Sequence, residues 1–283
     1  MKRVWICLIL CLVLVGLVSC MQTGAPSYGK QEDAPAADEN PVVSAPDSTL
    51  PQNVDKMEVT MEDGYTYTIT VKNGKANIID IRYGEYYSKE SDEPLVIPAE
   101  IAGYPVTGID RDSLTRKQAK EIVFPTSLEV MLAAFYRSSA TTVFLPKNVR
   151  EVGQLGYKCA LSEVRVDEEN AFFCAVDGVL YDKEMTTLIY FPEGKYVSEY
   201  EVPQSVTKIS NVAFGRRVEL DRLVIGEQVT EIGEGLFYGT VTFKAGFTLA
   251  VREGSVAHRY AKDLLELEDF DFSEQIQIEI LKD

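Results

Sequence analysis

The sequence predicts a repeat solenoid, mainly β, built from short parallel strands and closed by a β-hairpin at its N-terminal end and a short helix at its C-terminal end. Three observations predict it. One apolar spacing recurs along the middle of the chain, each copy follows a short β-favouring run that stops at Pro or Gly, and the flanking segments read as a hairpin and an amphipathic helix.

The spacing is three residues and then five. After Leu145-Pro146 it reads Val149, Val152 and Gly156-Tyr157; after Val202-Pro203 it reads Val206, Ile209 and Ala213-Phe214; after Ile225-Gly226 it reads Val229, Ile232 and Leu236-Phe237. Val106, Ile109 and Leu114 keep it upstream, and Leu128, Met131 and Phe135 form a copy one residue short. The β-favouring runs are Leu95–Ile97, Ile122–Phe124, Val143–Leu145, Val164–Val166, Tyr200–Val202 and Leu223–Ile225, each a strand of about three residues. One such unit cannot bury its apolar ridge alone, whereas stacked units can, with the strands aligned as a parallel ladder and the aromatic positions filling the interior.

From the start of the chain, Lys2 and Arg3 precede an apolar run, Val4 to Val18, that is too short for a comfortable membrane span and reads as a signal peptide over residues 1–19. Its end, Leu17-Val18-Ser19-Cys20, resembles the bacterial lipobox, which implies a lipid on Cys20 and membrane attachment through it. The competing reading is an ordinary cleaved signal or an uncleaved anchor helix. Two or three acyl chains, at about 0.8 kcal/mol per buried methylene, would anchor the protein durably outside the cytoplasm. Residues 20–56 carry Pro26, Pro35, Pro41, Pro46 and Pro51 with little apolar periodicity, and read as a tether whose reach is about 30 Å.

Residues 57–94 read as the N-terminal cap: Tyr65–Val71, Asn73-Gly74 and Ala76–Ile81 form a hairpin with a type I′ turn signal. The solenoid spans 95–250, with a hairpin insertion near 175–192. Residues 251–283 form the C-terminal cap, where Ser255 suits a helix N-cap, Val256, Tyr260, Ala261, Leu264 and Leu265 share one face, and Gln275–Leu281 alternates like a last strand.

These motifs resemble the BspA-like leucine-rich-repeat proteins of bacterial and protozoan surfaces. Glu201-Val202-Pro203-Gln204-Ser205-Val206-Thr207-Lys208-Ile209-Ser210-Asn211-Val212-Ala213-Phe214 carries most of the resemblance. Val176–Tyr181 with Leu188–Pro192 is similar to that family's inter-repeat hairpin, and Gly254–Ala261 to its closing segment. The resemblance covers about Tyr65 to Ala261 and implies a leucine-rich-repeat fold. The family includes adhesins and host-matrix binders, so the resemblance implies a partner that is an extracellular protein or host-matrix component. The array departs from the family pattern in keeping the Cys after the aromatic only at Cys159, and the Ile-Gly pair only as Val152-Gly153 and Ile232-Gly233.

Little in the chain points to chemistry. With one His, His258, expected on the exposed face of the terminal helix, and with Cys159 and Cys174 as the only mature thiols beside Cys20, there is no zinc set and no nucleophile-base pair. Those two thiols are read as separate buried groups, a disulfide being the alternative. The acidic pairs Asp110 and Asp112, Glu168 and Glu169, and Glu268 and Asp269 read as solvated turns. A glycosidase-type pair depends on separation in space, which spacing along the chain does not give. No phosphate-binding or dinucleotide loop follows any strand, and no cofactor is expected. A formal charge of −16, about −18 once Lys2 and Arg3 are removed, argues against nucleic acid.

Recognition is the remaining class. The middle ladder residues Val96, Val123, Phe144, Arg165, Glu201 and Val224 form one candidate face, and Tyr83, Tyr86 and Tyr87 a second. The expected function is a non-catalytic protein-binding or adhesion module on the cell surface. The alternative is a glycan-binding accessory lipoprotein or a carboxylate-dependent glycan hydrolase, against which the lack of Trp in the mature chain weighs. Replacing Cys20 by Ala should abolish incorporation of labelled palmitate and move the mature chain from the detergent to the aqueous phase on phase separation; retained label would overturn the lipobox reading.

Overall fold

The structure, a computed structural model, describes residues 49–86, 93–132, 135–156, 158–215, 217–233, 235–237, 242–266 and 276–282. Cys20, most of the tether, Tyr87 and Tyr157 lie outside these residues.

The described chain winds as a mainly β solenoid of about six turns with parallel strands. A typical turn contributes a front strand and a side strand, and the last two front strands have no side strand after them among the described residues. The front strands are Leu95–Val96, Ile122–Val123, Thr142–Leu145, Glu163–Val166, Glu199–Glu201, Arg222–Ile225, Phe247–Arg252 and Ile276–Leu281. The side strands are Tyr104–Ile109, Val130–Met131, Glu151–Val152, Thr187–Tyr190, Lys208–Ile209 and Glu231–Ile232.

The corner between front and side is a repeated turn in which a Pro or Gly carbonyl accepts an amide three residues on: Leu128 to Pro125, Val149 to Pro146, Val206 to Pro203 and Val229 to Gly226. Pro suits the start of this turn because its φ is already set and its missing N–H is not needed there. The residue that donates points inward, which is why the recurring aliphatics Leu128, Val149, Val206 and Val229 are all buried.

Successive coils are tied by backbone bonds. The amide of Thr207 donates to Thr186 and that of Thr230 to Thr207; Glu129 donates to Thr107 and Arg150 to Glu129. Side chains add to the same ladder: Ser127 Oγ donates to the carbonyl 21 residues earlier, Asn148 Nδ2 to one 22 earlier and Thr230 Oγ1 to one 23 earlier. Coils this close leave no space at Gly153 and Gly233. A Cβ at Gly153 would meet Leu132 O at 2.9 Å, and one at Gly233 would meet Asn211 N at 2.5 Å. Glycine after the side-strand aliphatic is therefore a close-packing residue, and side chains there would push coils apart.

Two cores lie inside the solenoid, one holding Ile109, Met131, Leu155 and Phe135, the other Ile209, Phe214, Phe237 and Phe247. The insertion separates them. Its strands Phe173–Val176 and Val179–Asp182 meet at an Asp177-Gly178 turn with both φ positive, the type I′ geometry that Asn73-Gly74 also adopts. Strand alternation sends Phe173 and Leu180 to the first core, and Cys174 and Tyr181 to the second. A register shift in the next pairing sets Tyr190 opposite Leu180, so Tyr190 also joins the first core while Leu188 enters the second. In the second core the aromatics stack along the axis: Phe191 to Phe214 at 5.1 Å, Phe214 to Phe237 at 5.9 Å, and Phe237 to Phe243 at 4.9 Å.

The ends are closed differently. At the start, Tyr65–Lys72 and Lys75–Tyr83 form the expected hairpin, and Lys75–Tyr83 pairs in parallel with Tyr104–Ile109 to continue the side sheet. A further strand, Val54–Thr60, pairs with Tyr65–Lys72 and opens inside the stretch assigned to the tether. Its outward residues Asp55, Lys56 and Glu58 are polar because only one face of an outermost strand is buried; its first three residues fall in the stretch read as tether and the rest in the cap. At the other end the helix Val256–Leu265 begins at Ser255, whose Oγ accepts the His258 amide at 3.0 Å. His258 is not on an exposed face. It is buried, with Nδ1 accepting the Gly254 amide at 2.9 Å, so it serves as part of the cap. No helix among the described residues is long and apolar enough to cross a membrane.

Lys117 fastens the hairpin to the array. It is buried, and its Nζ donates to the Ile81 carbonyl at 2.6 Å. Burial pulls its pKa down to about 8, partly opposed by Asp80. The unfolded chain keeps this proton up to its ordinary value near 10.5, so between those limits the unfolded state binds more protons and stability rises with pH. On this basis wild type should gain on the order of 2 to 3 kcal/mol relative to Lys117→Met between about pH 7 and pH 10. Urea unfolding of both proteins at the two pH values measures the difference, and parallel changes would refute it. Phe214→Ala should cost about 3 to 5 kcal/mol by the same method, because a ring between two stacked rings leaves a cavity that neither coil can close.

Candidate binding face

The front sheet carries the candidate residues. The register pairs Val96 with Val123 and Phe144 with Arg165. The amide of Thr141 donates to Lys120 and that of Ser162 to Thr141, so Val123, Phe144 and Arg165 occupy equivalent places on consecutive coils. Alternation turns Leu95, Ile122, Val143 and Val164 into the core and these neighbours outward. Val96 is 55% exposed, Val123 39% and Phe144 46%, which makes an uncovered apolar stripe across three coils.

The stripe ends at Arg165. Its Nε and Nη2 donate to Glu163 at 2.9 and 3.1 Å in a bidentate pair on the same strand. That hydrogen bonding, with Glu121 nearby, raises the guanidinium pKa further, while partial burial opposes the shift. Glu121, Glu163 and Arg165 thus form a polar border, and the arginine pairs with a carboxylate of its own strand.

The front strands after the insertion form a separate sheet, with a row of the same phase and a different surface. Glu201, Val224, Ala250 and Glu279 stand opposite one another on four paired strands. Val224, expected among the exposed residues, is only 6% exposed. One row away, Arg222 donates through Nε and Nη2 to Glu279 at 3.0 and 3.1 Å, and its Nη1 lies 3.0 Å from Glu199. The side chain therefore joins Glu199 on the adjacent strand to Glu279 two strands away on the other side, in the row beside Val224 and Ala250. The bond from Arg222 lowers the Glu279 pKa and the bond to Glu279 raises that of Arg222. Nothing in the local pattern marks this trio, since Glu279 lies 57 residues from Arg222. Glu201 itself is exposed.

The tyrosine cluster divides. Tyr83 packs edge-on against Tyr65 with ring centroids 5.2 Å apart, so it is a packing residue. Tyr86 is 72% exposed and bridges back to Tyr83. Cys159 and Cys174 are not joined in a disulfide, and Cys174 Sγ donates to the Asp182 carbonyl at 3.3 Å.

A groove of about 870 Å³ runs along the corner turns, lined by Lys75, Glu129, Lys147, Arg150, Glu169 and Phe172 among others. Its charges are engaged with each other: Glu129 accepts from Lys75 at 2.5 Å and Arg150 at 3.2 Å, and Glu169 from Lys147 at 3.2 Å. Ser127 and Asn148 donate to coil carbonyls. The polar lining serves the stacking of the turns. Among the described residues no three His, Cys, Asp or Glu side chains gather as a metal-binding group.

Residues 99–173 and 189–277 match the family model of the BspA type leucine rich repeat region, in six copies. No curated protein matches the chain. Among solved structures, a leucine-rich repeat protein from Eubacterium ventriosum is similar at 15% identity over 71% of this chain and 79% of that one, with a TM-score of 0.44. A leucine rich cell surface protein from Faecalibacterium prausnitzii is similar at 15% identity over 69% and 76%, with a TM-score of 0.38. The pneumococcal vaccine antigen PcpA is similar at 14% identity over 80% and 99%, with a TM-score of 0.30.

Proposed function

The chain belongs to the BspA-type leucine-rich-repeat family, and from that premise we propose that it is a non-catalytic, lipid-anchored surface module that binds an extracellular protein through the stripe Val96, Val123 and Phe144. One observation carries this reading. Positions of the same strand phase in the two arrays are treated oppositely: the second array sets Arg222 between two carboxylates beside its apolar row, while the first leaves its own row bare. Apolar area left in water is a cost to a folded monomer that a partner relieves, and aromatic and aliphatic residues inside a polar border have the anatomy of a binding patch.

The lipid on Cys20 and the surface location rest on the leader sequence. The groove with Phe172 at one end supports the glycan reading less well, because its polar groups are already paired with each other. A screen of the whole chain against extracellular-matrix proteins and a glycan array tests the proposal. Binding to at least one protein is expected, with Phe144→Asp reducing affinity by tenfold or more, about 1.4 kcal/mol or greater, and leaving the thermal midpoint unchanged. Binding confined to glycans, turnover of any glycan, or protein binding indifferent to Phe144→Asp would each defeat it.

A further inference from the structure

The two outermost strands of the solenoid are built differently. Val54–Thr60 carries the exposed charges of Asp55, Lys56 and Glu58 and a register shift between Val54 and Met57, both of which discourage another strand from adding to an edge. Ile276–Leu281 has no register shift and a single exposed charge, Glu279. It pairs in parallel with Phe247–Arg252 along its whole length, from Phe247 with Ile276 to Arg252 with Leu281, and among the described residues no strand takes its other side. Its one charged residue, Glu279, is already held by Arg222.

Its inner face is also unfinished. Ile276, Ile278 and Ile280 stand beside Phe247, Leu249 and Val251, all three of which are buried. Ile276 is buried, Ile278 half-buried and Ile280 38% exposed. Elsewhere in the array such a row is covered by the next coil.

We propose that this strand is a homodimer interface, in which two copies of the chain pair antiparallel through Ile276–Leu281 about a two-fold axis at Ile278. Directly opposed residues of an antiparallel pair point to the same face, so the axis must fall on a residue and not between two. Centred on Ile278, the pairing sets Ile278 against the partner's Ile278, Ile276 against the partner's Ile280, and Gln277 against the partner's Glu279. The isoleucines then cover one another, and an amide that can donate faces each carboxylate. Centred on Glu279, the pairing would oppose two carboxylates, which is unfavourable. Of these two registers only the first is complementary, and a two-fold contact closes on itself without propagating into a filament.

Cysteine cross-linking of the whole chain tests both the contact and its register. At the axis the two copies of residue 278 have Cα atoms about 4.5 to 5.5 Å apart, within disulfide range. The two copies of residue 280 are about 14 Å apart, out of range. Mild oxidation should convert Ile278→Cys mainly to a covalent dimer, and leave Ile280→Cys with no more dimer than the unsubstituted chain. Equal cross-linking of the two variants, or none by a folded Ile278→Cys, would overturn the proposal. In sedimentation equilibrium the unsubstituted chain should show the mass of two chains and Ile278→Lys that of one; a monomeric unsubstituted chain at the highest concentration reached would overturn it equally.

Discussion

Every coil of this solenoid depends on its neighbours for its backbone hydrogen bonds. A two-residue strand such as Lys208–Ile209 has no independent stability; it persists because Thr187–Tyr190 pairs with it on one side and Glu231–Ile232 on the other. The ladder fixes the repeat length, since a coil that is to present its amides to the carbonyls of the last must return after roughly the same number of residues. It also brings backbones close enough that Gly153 and Gly233 admit no side chain. The apolar spacing follows from the ladder: once the turns are in register, the same positions face inward in every coil, and only those must stay apolar.

A structure made this way has no natural end, so its ends need separate devices. The hairpin before the first coil supplies a strand to the side sheet, and Lys117 holds it there at the expense of burying a cation. The helix after the last full coil covers the second core, with Ser255 and His258 satisfying its first amides and the approach to it. The insertion between residues 173 and 190 is an internal boundary of the same kind. It interrupts both strand rows, presents one face to each core, and leaves two short arrays joined by a shared wall.

This division explains which features were legible in the sequence. Buried positions repeat because each is set by the same local geometry, and Val206, Ile209 and Phe214 could be read from one coil and found in the next. Outward positions obey no such rule. Val224 has the same strand phase as Val123, yet it is buried, in a row next to Arg222, Glu199 and Glu279, which come from separate strands. The start of Val54–Thr60 falls in the tether reading for a related reason, since polar outward residues are typical of an edge strand and of a linker alike. His258 was misplaced because its partner is a backbone amide, which no side-chain pattern announces.

The bare stripe and the covered row differ in what their neighbours can offer. At Val123 and Phe144 the adjacent outward residues are Glu121 and Thr142, too short to cross a neighbouring strand, and Arg165 is turned to Glu163 on its own strand. At Val224 a long cation has a carboxylate on each side and lies extended between them. This arrangement joins a cation on one strand to an acid on the preceding strand and another two strands on, which no single repeat can encode. The first array lacks it although both of its halves of such a trio exist, Glu163 and Arg165, because they sit on the same strand.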